Sequence, residues 1–250
     1  MLSKYSKTKV RGLPHPFIQK SFATYKNLSV KPRYSRIKER GLFITFEGID
    51  GSGKSTHSKL LTEYLRKKGY RVIHTREPGG VSIAESLRKI LLHPKIEISP
   101  YSELLLYLAA RAQHVEELIR PSLTGYHLHG DKRLPLVVIC ERFSDATSAY
   151  QGYGRGISLE LIKKLDTIAT GGLKPDLTIL LDCPVQSSKL KVKSLKTDRL
   201  ENESLSFHQR VRCGYLKLAR KEPKRFRVIK VKRTISQTQK EIRQIIEHIV

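Results

Sequence analysis

The chain has 250 residues, 39% hydrophobic and 28% charged, with a formal net charge of +25. That is enough for one large or two small domains with a sizeable core, and no apolar run approaches the ~20 residues of a membrane span. Three cysteines (Cys140, Cys183, Cys213) are too few and too scattered for a disulfide framework or a CxxC zinc site, which favours a reducing compartment.

The charge is uneven. Residues 1–40 hold 11 Lys/Arg against one acid, 41–182 hold 19 against 16, and 183–250 hold 18 against six. Such a field attracts polyanions without choosing among them. The first 40 residues carry three prolines and no apolar run, and are read as a basic, disordered N-terminal extension. Their acid-poor composition makes organellar targeting a lesser alternative to a cytoplasmic protein.

The ordered domain is expected over 41–250. Leu42–Glu47 (LFITFE) reads as a buried strand, and the segment from Ser55 to Lys68 has helical spacing closed by Gly69. A strand is expected over 71–75, then helices over 81–92 and 102–119. Residues 123–133 read as a polar surface loop, in which His127 and His129 lack the partners of a metal site. LVVIC (136–140) and LTILL (177–181) read as strands covered on both faces, 227–231 as a fifth strand, and a last helix starts near Ser236. Strands alternating with helices indicate an α/β fold with a mainly parallel sheet.

Gly48-Ile49-Asp50-Gly51-Ser52-Gly53-Lys54-Ser55-Thr56 matches G-x-x-x-x-G-K-[ST], with a strand before it and a helix after. Its glycines let backbone N–H groups cradle phosphate oxygens at a helix N-terminus; Lys54 would reach the β- and γ-phosphates, and Ser55 would hold Mg²⁺. A GTPase would need an [NT]KxD motif, and the nearest string, Leu195-Lys196-Thr197-Asp198, lacks its first residue. A large ATPase or helicase would need further motifs and more chain, which leaves a small P-loop kinase acting on a small phosphate acceptor.

Downstream lie TREPGG (75–80), YLAARAQH (107–114), CERF (140–143), AYQGYGRG (149–156), PDLT (175–178) and DRLE (198–201). Taken in order with the P-loop, these strings resemble the thymidylate kinase family over about 41–250. The resemblance implies a P-loop NTPase fold, with a five-stranded mainly parallel sheet flanked by helices and a mobile lid at about 183–200. It also implies transfer of the γ-phosphoryl group of Mg²⁺·ATP to dTMP, a step in dTTP synthesis, by a homodimer.

The residue roles follow from the same resemblance. Asp50 would bind the deoxyribose 3′-OH, Glu77 and Pro78 shape the acceptor pocket, and Arg88 and Arg142 grip the acceptor phosphate. Tyr107 would stack on thymine, Arg111 hydrogen-bond it, and Thr147 and Gln151 complete base reading beside Tyr150. Two positions depart from the pattern. Glu141, where the family usually has Asp, is expected to join Ser55 at the metal. The P-loop has Gly51 where some members carry a catalytic arginine, so charge would come from the lid through Lys189, Lys191 and Lys193, with Arg199 just after. Three other readings stay open: a kinase for another acceptor, such as dUMP or a deoxynucleoside, a nucleic-acid binder suggested by the charge, and a member that binds without catalysing.

Overall fold

The computed structural model describes residues 41–124, 136–192, 198–231 and 234–249. The basic extension (1–40), most of the 123–133 loop with His127 and His129, and Lys193 lie outside these residues. The side chains of Lys189 and Lys191 lie outside them too.

Five strands form one sheet: β1 (Leu42–Glu47), β2 (Arg71–Arg76), β3 (Leu136–Glu141), β4 (Leu177–Asp182) and β5 (Phe226–Lys230). Their order is β2-β3-β1-β4-β5, and every pairing is parallel. The mainly parallel sheet read from the sequence is therefore wholly parallel. The period-2 alternation of side chains explains its two cores. Ile44 and Phe46 of β1 and Ile139 of β3 pack on one face against Leu61, Leu65, Ile242 and Ile246. Phe43 of β1 and Val138 and Cys140 of β3 pack on the other against Val115, Ile119 and Phe143. Truncating a buried Phe such as Phe43 to Ala would cost about 3–5 kcal/mol.

The helices bury one stripe each. α1 (Lys54–Lys67) starts on Gly53 in the left-handed conformation and ends with Arg66 and Lys67 in its last turn, where cations suit the helix dipole. α2 (Ser82–Leu92) lies next in the chain, followed by α3 (Pro100–His114), which is capped by Ser99 with Pro100 at its first turn. The single helix expected over 102–119 is α3 continued by a π-helical stretch, Val115–Ile119, and a short turn α4 (Arg120–Leu123).

After β3, a short helix α5 (Ser144–Thr147) runs into a second π-helical stretch, Ser148–Gly154. α6 (Leu159–Thr170) and α8 (Leu205–Lys221) are further helices, and α9 (Ile235–Glu247) ends the fold with a Thr234–Gln237 capping box. Within the segment expected as a lid, Val185–Val192 is helix α7. No helix among the described residues is long and apolar enough to cross a membrane.

Candidate active site

Because the sheet is parallel, the carboxyl ends of β1, β2 and β3 lie along one edge, where ligands of such sheets bind. A cleft of about 760 Å³ opens there. Its floor is the P-loop, residues 50–56, which follows β1. Gly48, Gly51 and Gly53 have φ of 137°, 74° and 94°, values that L side chains rarely adopt. A Cβ at Gly48 would also come within 2.6 Å of the Leu181 carbonyl oxygen. Gly48 and Ile49 support the loop from below and do not line the cleft. Lys54 is buried and donates from Nζ to the carbonyls of Gly48 (3.1 Å) and Ile49 (2.9 Å). Burial, with Arg142 nearby, lowers its pKa to about 8.

Asp50 and Arg142 face each other at the centre of the cleft and form an ion pair. Arg142 sits directly after β3 with φ of 68°, the only non-glycine residue in the left-handed region among the described residues. Tyr150 holds both partners: its hydroxyl donates to Asp50 at 2.8 Å and accepts from Arg142 Nη2 at 2.9 Å. The Arg142 guanidinium also lies 4.7 Å from the Tyr150 ring centroid. Burial pushes the Asp50 carboxyl up, but Arg142, Lys54 and the Tyr150 hydroxyl outweigh it and hold it well below the usual range.

Behind Arg142 stands Glu47, the last residue of β1, fully buried. It accepts from the Phe143 backbone N–H (2.7 Å) and the Tyr215 hydroxyl (2.8 Å), and that hydroxyl in turn accepts from Arg142 Nη1 at 3.2 Å. Burial, reinforced by the charge of Asp145, raises its pKa to about 7. Sequence reading assigned Glu47 to a strand and gave it no further role.

On the β2 side of the cleft, β2 leads into Glu77 and a cis Glu77–Pro78 bond. Arg111 on α3, 2% exposed, donates from Nε to Glu77 (2.7 Å) and from Nη1 to Thr147 (2.8 Å) and Asp166 (2.9 Å). These partners raise its pKa despite burial. Nη2 has no partner among the described residues, leaving that edge of the fork for the cleft. Tyr107, one turn earlier, lines the cleft beside it, as the four-residue spacing implied.

Gln151 donates from Nε2 to Glu103 at 2.8 Å. A carboxylate accepts only, so Oε1 is the atom free to face a ligand. Pro78, Arg88 and Thr147 also line the cleft, and Arg88 Nη1 donates to the Pro78 carbonyl at 2.9 Å.

Ser55 and Glu141 meet on the P-loop side. Ser55 Oγ donates to Glu141 Oε2 at 2.5 Å. Ser55 at the start of α1 and Glu141 at the end of β3 thus offer oxygen ligands, the hard chemistry that Mg²⁺ takes. The residues present therefore fit the ion.

Arg199, like Gly48 and Ile49, is a sequence-predicted residue outside the cleft lining. Its Nη1 lies 2.6 Å from Glu103 Oε2 and its Nε donates to the Leu91 carbonyl at 3.2 Å. Its neighbours Asp198, Leu200 and Glu201 line the cleft instead, in a turn where Asp198 and Glu201 accept from each other's backbone N–H. Val231, Thr234, Ile235 and Thr238, on and just before α9, also line the cleft. Sequence reading missed them. The Thr234–Gln237 capping pattern was their one visible signal.

A P-loop sharing one cleft with Arg76, Arg88, Arg111 and Arg142, on a five-stranded parallel sheet, makes this a P-loop kinase. The family model described as thymidylate kinase matches residues 46–242, and the chain belongs to that family. The thymidylate kinase of Geotalea daltonii is 50% identical over 198 residues, covering 76% of this chain and 88% of that protein. That of Gloeobacter violaceus is 44% identical over 209 residues, covering 82% and 94%. The crystal structure of thymidylate kinase from Ehrlichia chaffeensis superposes with a TM-score of 0.64 at 36% identity, covering 83% of this chain and 99% of that one.

Proposed function

We propose that this chain transfers the γ-phosphoryl group of ATP to dTMP, giving dTDP and ADP. The observation that carries this is one cleft lined both by the P-loop and by Tyr107, Arg111 and Gln151. An oxygen of the dTMP phosphate attacks the γ-phosphorus, the bond to the β,γ-bridging oxygen breaks, and its electron pair leaves on ADP. Catalysis of this kind is positioning plus charge neutralisation.

Lys54 and the P-loop N–H groups hold the donor phosphates, and Arg142 and Arg88 hold the acceptor phosphate. Asp50 orients the sugar through its 3′-OH and keeps Arg142 in place. Tyr107 stacks on thymine, Arg111 Nη2 donates to a ring carbonyl, and Gln151 Oε1 accepts the ring N–H, with Thr147 steadying Arg111. Ser55 and Glu141 hold Mg²⁺, which when bound neutralises charge on the donor phosphates. Lys189, Lys191 and Lys193 supply further positive charge to the donor phosphates.

The protein acts as a homodimer through the apolar face of α2 and α3, where Ile83, Ile90, Tyr101 and Leu105 are exposed. Three cysteines, none of them in a CxxC pair, suit the cytoplasm.

The test is ADP release from Mg²⁺·ATP with dTMP, run beside dUMP, dCMP, dGMP and thymidine. Turnover with dTMP and weaker turnover with dUMP is expected. Equal turnover with thymidine would overturn the roles of Arg88 and Arg142, and no turnover with dTMP would overturn the reaction.

A further inference from the structure

Glu141 is held by more than Ser55. Ser58, one turn further along α1, donates from Oγ to Glu141 Oε1 at 2.8 Å. His74 of β2 brings Nε2 to 3.1 Å from the same Oε1 and 2.9 Å from Ser58 Oγ. Because a carboxylate only accepts, Nε2 carries the imidazole proton and shares it between Glu141 Oε1 and Ser58 Oγ, while the Ser58 hydroxyl also lies 3.2 Å from the Ser55 carbonyl. The strand register accounts for the meeting. His74 pairs with Ile139, two residues before Glu141, so His74 and Glu141 project from the same face of adjacent strands. Two elements thus converge on one oxygen of the carboxylate, and the other oxygen is left to Ser55.

A glutamate has one more rotatable bond than an aspartate, and an unrestrained carboxylate at this depth would sample several positions. We propose that His74 and Ser58 are positioning residues for the metal-facing carboxylate, clamping Oε1 of Glu141 so that Oε2 alone is presented to Ser55 and the cation. This deepens the reading of Ser55 and Glu141 as holders of Mg²⁺ and rests on it. Oε2 accepts from Ser55 and Oε1 from Ser58 and His74, the pattern of an accept-only carboxylate. Groups that orient a metal-holding residue in this way are commonly worth 10–100-fold in metal affinity.

The test is calorimetric titration of ADP into the full chain, with EDTA and across a series of Mg²⁺ concentrations. His74→Val and Ser58→Ala are expected to raise the Mg²⁺ needed for tight ADP binding by about tenfold, with ADP affinity in EDTA unchanged. His74→Gln, which keeps an N–H donor, should retain most of the wild-type Mg²⁺ dependence. In a Glu141→Asp background, adding His74→Val should cost less than twofold, because the shorter carboxylate no longer reaches the imidazole.

Glu141→Gln separates the two claims. If it leaves the Mg²⁺ dependence intact, the metal reading itself fails. If it abolishes that dependence while His74→Val and Ser58→Ala do not change it, the metal reading stands and the clamp is overturned. Equal losses in EDTA and in Mg²⁺ would make His74 and Ser58 structural only and would also overturn the clamp.

Discussion

Arg142 grips Asp50 from a backbone conformation that arginine rarely adopts, with φ of 68°, and Tyr150 touches both. The strain, of order 1–3 kcal/mol, is tolerated because the side chain is anchored at several points, including the Tyr215 hydroxyl. Replacing Arg142 by Lys keeps a charge and the same backbone preference but removes the planar fork. We expect Arg142→Lys to lower kcat/KM for dTMP by about 10²–10³-fold, with a melting temperature within a few degrees of wild type. Steady-state kinetics and a thermal melt check this. A loss confined to stability would remove Arg142 from the reaction.

Glu47 gives a pH dependence with a definite sign. Its carboxyl titrates near 4.5 when unfolded and near 7 when folded, because it is buried and faces Asp145. Between those values the folded chain holds a proton that the unfolded chain lacks. The contribution is complete below the lower value and is lost as the pH rises through about 7. Glu47→Gln removes this titration, so from pH 5 to 8 the variant should lose less stability than wild type, by on the order of 2 kcal/mol. Urea melts across that range measure it, and parallel curves would disprove it.

Tyr107 is expected to act through its ring alone. Burial pushes its phenol pKa up, so the hydroxyl stays neutral across the working range. Tyr107→Phe should leave KM for dTMP within about twofold. Tyr107→Ala should raise it by roughly 10–100-fold, the ~1–3 kcal/mol of a lost base–aromatic stack. KM for ATP should not move in either variant.

Arg199 and the lid lysines make opposite predictions. Arg199 pairs with fully buried Glu103, which Arg155 also contacts at 3.1 Å. Arg199→Ala should therefore cost about 1–3 kcal/mol of stability and raise KM for dTMP by loosening the 198–201 turn, while saturating kcat falls less than fivefold. Replacing Lys189, Lys191 and Lys193 together by Ala should instead lower kcat at least tenfold without a stability loss. A kcat unchanged in the triple variant would remove the lysines from the donor side.

Much of this was readable along the chain because the signals were local. The P-loop, the apolar strands LVVIC and LTILL, and the Tyr107–Arg111 spacing each depend on neighbours within a turn or a strand. The helices α6 and α8 were not anticipated, since the stripe Phe207, Val211 and Tyr215 in α8 is interleaved with arginines and lysines that mask it. The support of Arg142 was invisible for another reason: Tyr215 reaches Glu47 across 168 residues of sequence. The Arg199–Glu103 pair was invisible in the same way, because its two residues lie far apart in the sequence. His74 carried no motif, and only the register of β2 on β3 gives it Glu141 as a neighbour.

Tyr107 and Thr238 line one cleft together with the P-loop. A single molecule joining thymidine to adenosine through a chain of phosphates could occupy both nucleoside sites at once. Its second half would then bind from a tether and not from bulk solution, at an effective concentration that short flexible linkers bring into the millimolar range. Such a compound would lose overall translational and rotational freedom once where two separate nucleotides lose it twice. Its affinity should therefore rise and fall with the number of bridging phosphates, and the best length would serve as a molecular ruler for the distance between the two nucleosides.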